Sequence, residues 1–119
     1  MQHLLAPPPA SALQILRNKV AIPFQDLLRI EGRGNYTEFF LQNGKKVLTS
    51  KTLSFYEPLL PSFFLKVNKG CIINCHYLII TQSRKIGALQ MTDGTKVEVA
   101  RRKKASVKMI CEQIRRQQR

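Results

Sequence analysis

Acidic side chains are scarce in this chain. Seven Asp+Glu stand against twenty Lys+Arg in 119 residues, giving a formal net charge of +13 and a sequence pI near 10.3. Few carboxylates are left for general acid–base work, and Glu31/Glu38 is the one suggestive pair. Histidine is scarcer still: His3 lies near Pro7-Pro8-Pro9, in a stretch with little that can pack, and His76 stands alone. Gly-x-Ser-x-Gly and P-loop strings are missing, and Gly32-x-Gly34 stops short of a third glycine. No enzyme activity is expected. No apolar run approaches the roughly 20 residues needed to cross a bilayer. The start, Met-Gln-His-Leu-Leu-Ala, has neither the positive n-region nor the long h-region of a secretory signal. Cys71, Cys75 and Cys111 are an odd number without framework spacing, which favours reduced thiols and a cytoplasmic protein. Cys71-x3-Cys75-His76 hints at zinc, but only Cys111 or His3 could complete a tetrahedral set. Buried thiols are the preferred reading, and no metal or cofactor is expected.

What is abundant is positive charge, unevenly placed. Residues 1–58 carry seven basic and four acidic side chains; residues 59–119 carry thirteen and three. Such a balance argues for a polyanionic partner, whether nucleic acid, an anionic membrane surface or an acidic protein. With 44% hydrophobic residues, the length suits one domain with a real core.

Apolar residues are patterned for strands. After a Pro-rich tail at 1–11, Leu13–Leu16 and Val20–Phe24 are short apolar segments, with Pro23 suited to an edge. Asp26–Gly32 leads into the loop Gly32-Arg33-Gly34-Asn35, and Tyr36–Gln42 is an aromatic-rich strand. Asn43-Gly44 and Asp93-Gly94 each separate two strand-like runs, and both predict hairpins with type I′ turns. Thr52–Leu60 has helical spacing behind a Ser50/Thr52 cap and is cut short by Pro58. Arg101–Gln117 places Val107, Ile110, Cys111 and Ile114 on one face of an amphipathic helix whose outer face is basic. The expected fold is mainly β: about eight to ten short strands, one small mid-chain helix and one C-terminal helix.

Three stretches set basic residues where side chains project. Arg33-Gly34-Asn35-Tyr36 is a glycine-freed loop, although an ordinary turn with Tyr36 packed inward fits the local pattern equally well. Phe64-Leu65-Lys66-Val67-Asn68-Lys69-Gly70-Cys71-Ile72-Ile73-Asn74 holds a polar, basic tip between two apolar strands, which a solvated hairpin end also explains. Arg101-Arg102-Lys103-Lys104 sets four cations at a helix start, where they oppose the macrodipole at a cost of ~0.3–1 kcal/mol each. A bound phosphate would relieve that strain.

In this order, the residues resemble the LytTR-type DNA-binding domain of bacterial transcriptional regulators. Leu28-Arg29-Ile30-Glu31-Gly32-Arg33-Gly34-Asn35-Tyr36 is similar to the family's isoleucine-rich strand with its acidic residue and Asn-Tyr loop. Thr52-Leu53-Ser54-Phe55-Tyr56-Glu57 is similar to its small helix, and Phe64–Asn74 to its string F-x-R-V-H-R-S-Y-x-V-N. Asp93-Gly94-Thr95-Lys96-Val97-Glu98-Val99-Ala100-Arg101-Arg102 is similar to its closing motif. The likeness covers about residues 13–112. It implies an elongated sandwich of small antiparallel sheets, occupying 12–119, whose loops enter successive major grooves of duplex DNA. It further implies base contacts from Asn35, Tyr36, Lys69 and Arg101, and phosphate contacts from Arg33, Lys51, Lys66, Asn68, Arg102, Lys103 and Lys104. The usual His-Arg-Ser is Asn68-Lys69-Gly70 here, and the serine before the closing arginine is Ala100, so the family's site preference does not carry over. Most members join this domain to a phosphorylated receiver. A receiver of ordinary domain size does not fit in this length, so a stand-alone regulator or an excised C-terminal part is expected. A second copy on adjacent half-sites remains open.

A different reading is an RNA- or single-strand-binding protein with a basic β-surface. It requires exposed aromatics as stacking platforms, whereas Phe39, Phe40, Phe63 and Phe64 lie in apolar company. A third reading is a basic adaptor contacting acidic protein or membrane through its C-terminal helix, whose polar face is basic but which has no Trp or Phe to anchor in lipid.

Overall fold

A computed structural model describes residues 11–17, 19–79 and 88–117. The expected tail and His3 lie outside these residues, apart from Ser11, whose carbonyl accepts from the Phe24 amide at 3.0 Å. Among the described residues the order is β1 (Ala12–Ile15), β2 (Val20–Pro23), β3 (Leu27–Arg33), β4 (Tyr36–Leu41), β5 (Lys46–Thr49), α1 (Leu53–Tyr56), β6 (Phe64–Asn68), β7 (Cys71–Asn74), β8 (Leu78–Ile79), β9 (Ala88–Met91), β10 (Lys96–Glu98) and α2 (Lys104–Gln117). The strands form three antiparallel sheets: the hairpin β1-β2, a central sheet β5-β4-β3-β7-β6, and a small sheet β10-β9-β8. Mainly β, with two helices, is what the sequence pattern predicts.

The central sheet is covered on both faces. Ile30 stands opposite Phe39 on β4 and Ile72 on β7, so these three share one face. There they meet Leu13, Ile15 and Ile22 of the hairpin and Leu53 and Tyr56 of α1. On the other face Val67, Cys71 and Ile73 meet Leu89, Met91 and Val97 of the small sheet and Val107 and Cys111 of α2. Each fully buried large side chain contributes about 1.5–3 kcal/mol, and alternation along the strands divides that gain between two cores. The result is an elongated sandwich, 48 × 38 × 27 Å. Buried polar groups are bonded: the Asn74 amide donates to the Phe24 and Leu27 carbonyls, and Tyr56 Oη donates to Thr49 Oγ1 at 2.8 Å.

Two local expectations need correction. The Asn43-Gly44 and Asp93-Gly94 hairpins form, but with a longer turn than type I′. Gly44 N–H bonds the Leu41 carbonyl at 3.0 Å and Gly94 N–H bonds that of Met91 at 2.9 Å, and only the glycines have positive φ, +88° and +90°. This is the three-residue arrangement in which a turn is followed by a left-handed glycine. The preceding side chain fixes the choice: Asn43 Oδ1 accepts from Lys45 N and Asp93 Oδ1 from Thr95 N, which ties each turn to its own next residue. The second correction concerns the small helix. Thr52 stands at its N-cap, yet its side chain makes no capping bond and lies 3.2 Å from Ser54 Oγ instead. Pro58 falls in the 3₁₀ turn Glu57–Leu59 that ends the segment.

Candidate nucleic-acid interface

All three basic stretches emerge at the same end of the central sheet. The turn between β3 and β4 is the two-residue Gly34-Asn35, because Arg33 pairs with Tyr36 in the ladder. Gly34 has φ +63° and Asn35 does not share it, the pattern of a type II′ hairpin. Tyr36 does not pack inward; it is 52% exposed beside the exposed Asn35. The Arg33 guanidinium is exposed as well, 3.1 Å from Glu38 and 3.5 Å from Glu31.

The second tip is Lys69-Gly70, between β6 and β7. Lys69 is exposed. The Asn68 side chain, in contrast, is committed to the protein. Its Oδ1 accepts from Gly70 N and its Nδ2 donates to the Glu98 carbonyl, both at 2.8 Å. Lys66 is half-buried, with Nζ 3.2 Å from Glu57. A bulge in β6 sets Val67 and Asn68 together against Cys71. The extra residue of a bulge falls out of ladder pairing, and the Val67 carbonyl accepts from Ala100 N at 2.8 Å. That bond clamps the segment carrying Arg101–Lys103, a 3₁₀ turn, against the central sheet just before α2 begins. Across the other side of the tip, Gly32 N donates to the Gly70 carbonyl at 2.9 Å. The three projecting stretches are therefore fastened to one another by backbone and amide bonds.

Lys51 emerges at this end too. Its carbonyl accepts from Thr37 Oγ1 at 2.7 Å, and its Nζ lies 5.2 Å from the centre of the Phe55 ring. It lines an open groove of about 620 Å3 that also carries Arg17 and Lys19 of the β1–β2 connection. Sequence reasoning missed these two cations. Their signal was available, since charged residues between two short apolar runs mark a hairpin loop; what was missing was the pairing of β1 with β2.

Of the acids at this end, Glu31 and Glu38 are ion-paired, while Glu98 is exposed and forms no ion pair among the described residues. Glu31 and Glu38 sit directly opposite in the β3–β4 ladder, an arrangement that would repel. Arg29, 7% exposed and stacked 3.8 Å from the Phe40 ring centre, bonds Glu31 at 2.8 Å and Asp93 at 3.1 Å. The suggestive carboxylate pair is thus part of a structural ion-pair network with Arg29, Arg33 and Asp93. Burial pushes the Asp93 carboxyl up, but hydrogen bonds from Thr95 and the Arg29 charge outweigh it, and the group lies below the ordinary range. Next to this network the Cys71 thiol is pushed up to about 12, first by burial and then by Glu31, against the pull of Arg29. Cys75 is pushed up to about 11 by burial and by Cys111. Neither thiol is activated for nucleophilic or metal chemistry at neutral pH. Among the described residues no cluster of three His, Cys, Asp or Glu could hold a metal ion, and no helix is long and apolar enough to cross a membrane. Among them, too, Arg17, Lys19, Lys51, Lys69, Arg101, Arg102, Lys103 and Lys104 form no ion pair.

The family model described as the LytTr DNA-binding domain matches residues 17–112. This chain belongs to the LytTR family. It is a family of DNA-binding domains, not of enzymes. Among solved structures, a chain from Bacillus cereus described as the LytTr DNA-binding domain of a putative methyl-accepting/DNA response regulator superposes with a TM-score of 0.66. The match is at 19% identity and covers 86% of this LytTR chain and 96% of that one. At that identity the likeness speaks to the fold. No curated protein is a significant match.

Proposed function

We propose that this LytTR domain binds duplex DNA sequence-specifically, by placing turns from one end of its central sheet in successive major grooves, and that it acts as a cytoplasmic bacterial transcriptional regulator. The observation that carries the reading is the fastening of the three projecting stretches. Gly32 N to Gly70 O, Ala100 N to Val67 O and Asn68 Nδ2 to Glu98 O hold the Asn35, Lys69 and Arg101 regions as one body. Base readout needs donors preset at fixed separations, and this end supplies them with Glu31 and Glu38 held in ion pairs.

In this reading Asn35, Tyr36, Lys69 and Arg101 contact bases, and Arg33, Lys51, Arg102, Lys103 and Lys104 contact phosphate. Lys66 joins them by exchanging Glu57 for the backbone, while Asn68 adds to any phosphate contact the shaping of the tip. Binding at neighbouring half-sites by a second copy is compatible with these roles. Single-strand or RNA binding is less well supported: Phe39, Phe40 and Phe64 are buried, and the two half-exposed aromatics at this end, Tyr36 on β4 and Phe55 on α1, stand on separate elements rather than in a row along the sheet.

The test is selection of bound duplexes from a random pool, followed by titration across salt. Six to ten phosphate contacts give a slope of log K against log salt of about −5 to −9. Arg101→Glu should weaken binding to the selected duplex more than to a scrambled one. Equal loss on both would remove Arg101 from base reading, and no enrichment would sink the proposal.

A further inference from the structure

We propose that the β1–β2 connection is a fourth DNA-contacting element, which grips the sugar–phosphate backbone outside the three turns named above. The inference rests on the duplex-binding reading and extends it to residues outside the three projecting stretches. Arg17 and Lys19 line one groove with Lys51, and Lys51 follows β5, the strand at one edge of the central sheet. Thr49 of β5 pairs with Thr37, next to the β3–β4 turn, so this groove opens at the same end as Asn35 and Tyr36. The Arg101–Lys104 segment is fastened to β6 at the opposite edge. With strands ~4.8 Å apart, the two edges of the five-stranded sheet are separated by about 19 Å. That exceeds the ~12 Å width of one major groove, so cations at the β5 edge fall on backbone beyond the groove read by the central turns.

Three features of the groove suit a backbone rather than a base edge. Its charged side chains are cations without an ion-pair partner among the described residues. Its apolar side chains Leu16 and Phe55 are 43% and 50% exposed, faces that a deoxyribose would cover. Leu16 and Arg17 have φ +52° and +57°, left-handed values that β-hairpin loops of non-glycine residues rarely adopt in succession. Strain of this kind collects at ligand clamps, and here it falls at a cation lining the same groove as Lys51.

The test compares the full chain with an Arg17→Ala/Lys19→Ala variant on the selected duplex and on a scrambled one. Loss of two phosphate contacts lowers the steepness of the salt dependence by about 1.8. The affinity lost on a fourfold rise in salt then shrinks about 12-fold relative to the parent. The drop should be the same on both duplexes, because backbone contacts carry no sequence information. Arg17→Gly guards against a folding artefact: it relieves the left-handed strain, so its melting temperature should not fall, while about 0.9 of the slope is lost. An unchanged slope in both variants overturns the fourth contact while leaving the three-turn reading in place. If the parent chain itself binds no duplex with salt dependence, the underlying reading fails as well. A change confined to a protein dimer in size-exclusion chromatography would assign the loop to a second copy and overturn the proposal.

Discussion

Asn68 and Lys69 adjoin in the chain and do opposite work. Lys69 is exposed at the tip, whereas both functional atoms of the Asn68 amide are bonded within the protein, to Gly70 N and the Glu98 carbonyl. Removing that amide should therefore loosen the tip from the closing segment without subtracting a charge. Asn68→Ala is expected to cost about 1–3 kcal/mol in urea unfolding, the penalty for a lost, partly buried hydrogen-bonding group. DNA affinity should fall while the slope against salt stays unchanged, which titration at several ionic strengths would measure. Lys69 is different in kind: as a single point charge it discriminates less than the planar fork of an arginine. Lys69→Arg is expected to sharpen preference for the selected duplex over a scrambled one, by up to ~1–3 kcal/mol if the fork reaches guanine.

The glycines at the hairpin tips separate into two kinds at the scale of the element. Gly34 has φ +63° and open space where a side chain would stand. Gly70 has no positive φ and would place a Cβ 3.6 Å from Asn68 Oδ1 and 3.9 Å from the Gly32 carbonyl, ordinary contacts. Gly34→Ala should thus cost about 1 kcal/mol through backbone strain alone, and Gly70→Ala or Gly70→Ser should be near neutral in thermal melts. The serine typical of the family at the second site is thereby compatible with this backbone. The β9–β10 turn carries a pH-sensitive tie of its own. Asp93 lies below its ordinary value, so its bonds to Arg29 and Thr95 stabilise the fold above the unfolded pKa of ~3.9. That contribution disappears as pH falls through the lower folded value. Asp93→Asn should lower the melting temperature at pH 7, and the gap to the parent should close below about pH 4.

The whole molecule is two cores sharing one sheet. Ile73, fully buried on the face toward β9, β10 and α2, lies on the same strand as Ile72, which belongs to the core under α1 and the hairpin. Because β7 serves both, damage to one side is expected to lower the stability of the whole. Ile73→Ala should cost about 2–5 kcal/mol, and circular dichroism and tyrosine fluorescence should still report coincident unfolding transitions. A separate early transition for α2 would show that the cores are independent. The shared sheet also explains the interface, since both cores contribute segments to one end. Charge that looks concentrated in the second half of the chain is joined there by Arg17, Arg33 and Lys51 from the first half.

Local patterning by itself determined most of the elements. Alternation specified the strands around Ile30, Phe39 and Ile72; Asn43-Gly44 and Asp93-Gly94 specified hairpins; and Val107, Cys111 and their helical spacing specified α2. These are one-dimensional signals, because side-chain period and turn chemistry act over a few residues. The order of motifs was enough to recognise the family. Tertiary structure alone decided what those motifs do together. No local signal says that the β6 bulge frees a carbonyl for Ala100, or that Asn68 bonds inward while Lys69 points out. Nor does any local signal tie Arg29 to Asp93, or bring Arg17 and Lys19 into one groove with Lys51. Each of these depends on contacts between residues distant in the chain, and such contacts form only when the sheets close on their two cores.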